Sequence, residues 1–253
     1  MTHHPLIINE SPKAFSHIVA LAALALALAT VPRAGFGQPT TSSSGLKIGI
    51  IGSGNIGSTV GTLWVKAGHQ VLFSSRHPEE IKPLVGGLGP LARAGTVKDA
   101  LKFGVVVFIA VPYGAYPQIG KDYARDLTGK IVLDAGNAVL RRDGEIANEA
   151  RANGIGITSA KYLAGARIVR AFNTMSFRKL ADNANRPGAR MAIPIAGDDK
   201  EALAVAQTLV RDAGFDPVII GGLESAKIFA QGGPLYGQDI TAQEMQRRLK
   251  TLR

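Results

Sequence analysis

The run Gly52-Ser53-Gly54-Asn55-Ile56-Gly57 follows an apolar, β-branched segment directly and is followed directly by a helix-like one. A G-x-G-x-x-G spacing in that setting constrains the chain more than any other feature, because it requires a strand, a tight turn and a helix in fixed order. Gly52 permits the turn, Gly54 lets a pyrophosphate approach the backbone, and Gly57 lets the helix pack on the strand. The helix N-terminus behind them offers unpaired N–H groups and a partial positive charge to an anion.

The rest of the chain repeats the same alternation. Strands are expected at 46–51, 71–73, 104–111, 130–134, 168–172, 190–196 and 216–220. Helices are expected at 56–67, 78–84, 97–102, 116–127, 201–213, 223–230 and 242–252, the last amphipathic and basic. The β-branched run at 104–111 is what a strand buried on both faces requires. Repeated β-α-β units with short Gly-rich turns imply an α/β fold, a Rossmann-type doubly wound parallel sheet with a small C-terminal α/β extension. The organisation expected is a leader and linker over 1–44, a nucleotide-binding domain over 45–172 and a C-terminal strand/helix segment over 173–253.

The end of the second strand decides which nucleotide fits. A carboxylate there would bind the ribose 2′-hydroxyl; here the chain reads Phe73-Ser74-Ser75-Arg76-His77, with no acid before Glu79. A hydroxyl and a guanidinium, Ser75 and Arg76, suit a 2′-phosphate instead, so the site reads as one for NADP(H). Ligands of open α/β sheets lie beyond the carboxyl ends of the strands. Val111 and Pro112 therefore border the nicotinamide, and Asn137, after the next strand, contacts the ribose or the ring. Tyr113 and Tyr116 either line the pocket or are simply packed. No Tyr is followed four residues later by Lys, and neither His69 nor His77 falls where it would protonate a substrate. Ketone reduction needs such a donor; a flavin-like acceptor stabilises its own charge.

Composition narrows the partners. The net charge is +10, and residues 1–44 contribute only two basic side chains and one acid, leaving +9 on the rest. Such charge favours anionic partners, but aromatics are 6% of the chain and no long Lys/Arg tract occurs, so an anionic cofactor is expected and nucleic acid is not. With no Cys, disulfides, thiolate metal sites and cysteine nucleophiles are excluded. Residues 18–29 are unbroken Ala, Leu, Ile and Val, preceded by Lys13 and followed by small and then Ser/Thr-rich residues, the pattern of a secretory signal. Export or membrane anchoring through this segment is the expectation, with a cytoplasmic protein and a misassigned start as the alternative.

Taken together, 47–57, Gly68-His69, Ser75-Arg76 and Val111-Pro112 resemble the NADPH-dependent reductases of the deazaflavin coenzyme F420 type, whose Rossmann module also occurs in membrane ferric reductases. Arg170-Ala171-Phe172-Asn173-Thr174, Ala196-Gly197-Asp198-Asp199, Gly214-Phe215-Asp216-Pro217, Leu223-Glu224-Ser225-Ala226 and Gly233-Pro234-Leu235-Tyr236 are similar to family segments as well. The resemblance implies that Ser53, Asn55 and Ile56 join the phosphate turn and that Ala171 borders the nicotinamide. It also implies a homodimer, with a deazaflavin or flavin as co-substrate in a cleft between the sheet and the C-terminal segment. Two other readings stand beside it: a non-catalytic NADP-binding module, and an imine or hydroxyacid reductase. The latter append a long all-helical domain, whereas this chain returns to strands after Asn173.

Overall fold

In the computed structural model, residues 45–252 are described; the signal-like stretch expected at 1–44 lies outside them. Eight strands form one sheet: β1 (Lys47–Ile51), β2 (Gln70–Ser74), β3 (Ala92–Gly95), β4 (Val106–Ile109), β5 (Ile131–Asp134), β6 (Arg167–Arg170), β7 (Ala192–Gly197) and β8 (Asp216–Gly221). Their order is β3-β2-β1-β4-β5-β6-β7-β8. The first six follow the Rossmann order, with the topological switch between β1 and β4. Every pair is parallel except β6–β7. The C-terminal extension thus enters the same sheet with one reversal of direction, which repetition of β-α-β units does not anticipate.

Among the described residues ten α-helices lie between strands, α1 (Asn55–Lys66), α2 (Lys82–Leu88), α3 (Val97–Phe103), α4 (Tyr116–Asp122), α5 (Ala124–Leu127), α6 (Leu140–Asp143), α7 (Glu145–Asn153), α8 (Ile155–Tyr162), α9 (Phe177–Asn183) and α10 (Lys200–Asp212), and α11 (Ala242–Thr251) follows β8. Several expected elements change. The helix at 116–127 breaks at Tyr123 into α4 and α5, and 223–228 is a 3₁₀ turn rather than an α-helix. The segment 78–84 begins as a 3₁₀ turn and continues as α2, where Pro83 fits the first helical turn. The edge strand β3 and helices α6–α9 had no counterpart in the sequence reading.

The sheet is covered on both faces. On one, α1 and α10 pack on the strands around Trp64, which meets Phe108 and Phe172 edge-on at 5.1 and 5.8 Å. The Trp64 indole N–H donates to the carbonyl of Leu209 at 2.8 Å, so the ring is buried without an unpaired donor. Small residues let α1 lie close to the sheet: a Cβ on Gly61 would fall 2.4 Å from the Phe73 ring. On the other face the core runs from Leu101 and Val107 through Tyr113 and Tyr116 to Met245 of α11. Among the described residues no helix is long and apolar enough to cross a membrane.

Candidate functional site

The glycine turn sits at the switch point, and its three glycines are held in three different ways. Gly52 has φ +98°, a left-handed conformation costly for other residues, and a Cβ there would also lie 2.5 Å from Val111 Cγ1. A Cβ on Gly57 would fall 1.9 Å from the Gly52 carbonyl oxygen, so the turn folds tightly over the start of α1. Gly54 differs from both. Its φ is an ordinary −72°, and no heavy atom lies within 4 Å of where its Cβ would be. Nothing in the protein needs a glycine here; the free space lies outside the fold, over the helix N-terminus. That N-terminus has no side-chain cap and no acid in its first turn, so its N–H groups are open to an anionic ligand. The residues present fit a dinucleotide phosphate.

The turn is tied to the end of β2. Ser53 Oγ donates to the Ser74 carbonyl at 2.9 Å, and Ser74 Oγ donates to the Ile50 carbonyl at 2.6 Å. Asn55 and Ile56 open α1, the first exposed and the second half-buried. Beyond Ser74, the Ser75 hydroxyl oxygen accepts from the His77 N–H at 3.0 Å, which leaves its own proton to donate. Arg76 is exposed and makes no ion pair among the described residues, whereas His77 faces Glu79 at 3.4 Å. An uncommitted guanidinium and hydroxyl therefore stand next to the glycine turn.

The other expected residues lie at the carboxyl ends of β4, β5 and β6, in step with one another. The N–H groups of Ala110, Ala135 and Ala171 donate to the carbonyls of Ile51, Ile109 and Asp134 respectively. Val111 is half-buried, Pro112 exposed, Asn137 half-buried and Ala171 buried. Asn137 Nδ2 donates to the Asn173 carbonyl at 2.7 Å, joining the β5 and β6 loops. Asp143, its side chain 1% exposed, accepts from the N–H groups of Gly114 and Val139 at 3.1 and 2.8 Å, joining the β4 and β5 loops. Burial alone would raise the Asp143 carboxyl, but Arg142 and these two N–H donors outweigh it and hold it below the usual range. Tyr113 and Tyr116 are packed rather than exposed to a pocket: both are fully buried, rings 4.4 Å apart. Burial, and after it the Asp134 charge, push both phenols up, so neither serves as a ready acid.

The sequence reading did not foresee that the charges beneath these loops pair with one another. Asp134 and Arg170 end β5 and β6, are register partners, and are both fully buried, 2.7 Å apart. Tyr116 donates to Asp134. Burial disfavours the Arg170 charge, yet Asp134 more than compensates and keeps its pKa raised. Among the described residues, the buried side-chain polar atoms without a hydrogen bond all lie here: on Asp134, Arg170, Asn173 and Thr174. Phe172, between them, is a buried aromatic with φ +60°. Unpaired polar atoms and a strained backbone concentrate at functional sites. The sequence signal was partial: Asp134 is the one charge in the otherwise apolar strand Ile131-Val132-Leu133-Asp134, whereas β6 carries Arg167 as well as Arg170.

Just past Asn137 a cleft of about 1090 Å³ opens between residues 138–157 and 224–233. Leu140 and Ile157 line it, both exposed, together with Arg141, Arg151, Lys227 and Glu224. Apolar surface lies there beside three cations and one acid.

Residues 47–138 match the family described as NADP oxidoreductase, coenzyme F420-dependent. The metalloreductase STEAP3 of Rattus norvegicus is 32% identical over 186 residues, 72% of this chain and 35% of that protein. The chain thus spans about a third of the length of the curated relatives it matches. A hypothetical protein of Sinorhizobium meliloti superimposes with a TM-score of 0.67 and 27% identity, covering 79% of this chain and 97% of that one. A protein described as an F420-dependent NADP reductase, from Arthrobacter sp. FB24, shares the fold with a TM-score of 0.61 and 23% identity, covering 72% and 87%. Residues 47–138, which contain the glycine turn and strands β1 to β5, are thus similar to the coenzyme F420-dependent NADP oxidoreductase family.

Proposed function

We propose that this chain is an NADP(H)-dependent oxidoreductase that moves a hydride between NADP(H) and a planar redox acceptor of the deazaflavin or flavin class. The observation that carries the nucleotide half is the open space at Gly54 over an uncapped helix N-terminus. Gly52, Ser53, Gly54, Asn55, Ile56 and Gly57 would hold the pyrophosphate, and Ser75 and Arg76 the 2′-phosphate. Val111, Pro112, Asn137 and Ala171 would wall the nicotinamide, which supplies the hydride when bound. The chain's own part is to orient the ring, exclude water from one face and leave the other open to the acceptor.

The acceptor half is supported by what stands at the strand ends. Among the described residues no histidine lies at the ends of β4, β5 or β6, and Tyr113 and Tyr116 are buried phenols with raised pKa. A carbonyl substrate would lack its proton donor, whereas a ring that delocalises the added electron pair needs none. The likeness to a metalloreductase favours a second use of the same hydride, reduction of a chelated metal. Because a hydride carries two electrons and a ferric ion takes one, that route also requires a flavin-like ring between them.

Stopped assays at 340 nm with the full-length chain and NADPH test the proposal against a panel of deazaflavin, flavins and a ferric chelate with and without flavin. Acceleration by a ring acceptor, slowed when the transferred C4 hydrogen of NADPH is deuterium, is the expected result. NADPH binding with no acceptor turned over would instead support a non-catalytic module. The homodimer is tested by light scattering, and export or anchoring by fractionation of cells expressing the full chain.

A further inference from the structure

We infer that Tyr116, Asp134 and Arg170 form a positioning device for the nicotinamide half of the nucleotide, acting through the peptide of Gly136. The inference rests on the proposed NADP(H) site, since it concerns where the β5 loop stands within it. Asp134 Oδ1 accepts the Gly136 N–H at 2.8 Å, and Arg170 donates to the Gly136 carbonyl at 2.5 Å. One buried ion pair therefore holds both polar groups of a single residue, which fixes the plane and direction of the loop at that point. Asn137 follows immediately and carries the grip across to β6 through the Asn173 carbonyl. Tyr116 secures the carboxylate from below, and its hydroxyl also sets how deep the loop lies: a Cβ on Gly136 would fall 2.2 Å from it. Tyr113, stacked on Tyr116, is anchored in turn by the Ile155 carbonyl and Ser159 Oγ, each at 3.0 Å.

A buried ion pair is a poor way to add stability, because desolvation offsets its attraction and apolar packing does as well. Apolar packing does not hold an N–H and a C=O in one orientation; opposite charges at fixed places do. The incomplete pairing fits this use. Asp134 Oδ2 and Arg170 Nη1 face each other at 2.7 Å without hydrogen-bond alignment, while Asp134 Oδ1 and Arg170 Nη2 are engaged with Gly136. Optimum pairing within the ion pair gives way to the grip on the loop.

The experiment compares two ligands on the full-length chain: NADPH, and 2′,5′-ADP, which has the 2′-phosphate and adenylate but no nicotinamide. Two variants loosen the device without removing either charge, Tyr116→Phe and Gly136→Ala. In each, the affinity for 2′,5′-ADP stays within about 2-fold of the parent, while that for NADPH falls about tenfold, the change that 1.4 kcal/mol of lost nicotinamide contact produces. The emission of bound NADPH shifts toward that of the free nucleotide at saturation, a signature that general loss of stability does not produce. Equal loss for the two ligands, or no loss for either, overturns the positioning role. If the parent protein binds 2′,5′-ADP and NADPH equally well, the strand ends do not receive the nicotinamide and the inference falls. If it binds neither, the nucleotide site itself is refuted.

Discussion

Replacing Gly54 with Ala separates the ligand's need for glycine from the fold's. The fold has no steric objection: φ is −72° and the new methyl meets no heavy atom within 4 Å. Two small backbone effects oppose one another. Losing a glycine from the unfolded chain stabilises by about 0.4–1 kcal/mol, and placing Ala at an N-cap costs about 1 kcal/mol. The sum is near zero, so the melting temperature should stay within about 2–4 °C, the shift that 1 kcal/mol produces in a domain this size. Binding is different, because the methyl occupies the approach to the helix N-terminus. Loss of one charge-assisted hydrogen bond to a phosphate costs about 1.5–3 kcal/mol, or roughly 10–150-fold in Kd. Titration of NADPH by its fluorescence, beside a thermal melt of the same samples, reads both quantities. Gly57→Ala is the control, since its Cβ would lie 1.9 Å from a backbone oxygen and both quantities must fall. Parent-like NADPH affinity in a stable Gly54→Ala protein would refute the placement of the pyrophosphate.

Three further outcomes follow from the geometry. Arg76→Ala should lower the preference for NADPH over NADH by about tenfold or more, through loss of a charge-assisted contact, and leave the melt unchanged because Arg76 is exposed and unpaired among the described residues; paired titrations with the two nucleotides check it. Asp134→Asn breaks a buried pair from one side, which costs about 3–5 kcal/mol and so lowers the melting temperature by roughly 6–20 °C, as calorimetry would show. Asp143 has a depressed pKa in the folded protein, so its contribution is present above the unfolded carboxylate value of about 3.9 and disappears as pH falls through its lower folded value. The difference in melting temperature between the parent and Asp143→Asn should therefore be largest near neutral pH and close below about pH 3.9; a constant difference would mean the carboxylate charge does not hold the two loops.

The glycine turn and the acid-free end of β2 were legible because both are local properties of the chain. The strand β4 was legible for the same reason, its β-branched run being enough to mark a strand buried on both faces. What escaped was less local. The edge strand β3, Ala-Arg-Ala-Gly, has no β-branched residue and takes its conformation from pairing with β2. Between β5 and β6, Gly144 and Gly154, both at positive φ, cut the periodicity into helices of nine residues or fewer. Tyr116 and Asp134 meet only because α4 packs below the carboxyl end of β5, and Asp134 meets Arg170 only through strand register. No spacing in one sequence encodes such contacts, although a lone charge at the end of an apolar strand marks where to look for them.

The two ends of the proposed site therefore rest on different physical grounds, and they should respond differently to change. The phosphate end depends on backbone shape: positive φ at Gly52, close packing at Gly57 and an open helix terminus. Substitutions at Gly54 or Arg76 should change affinity with little cost to the fold, whereas Gly52 and Gly57 are needed by the fold as well. The nicotinamide end would depend on a buried polar network whose members come from the ends of β5 and β6 and from α4. Substitutions there reach stability first, because each removes a partner from a group that water cannot reach. On the proposed function that asymmetry has a reason: a hydride donor would have to be held in one orientation, whereas a phosphate needs only N–H groups pointing the same way.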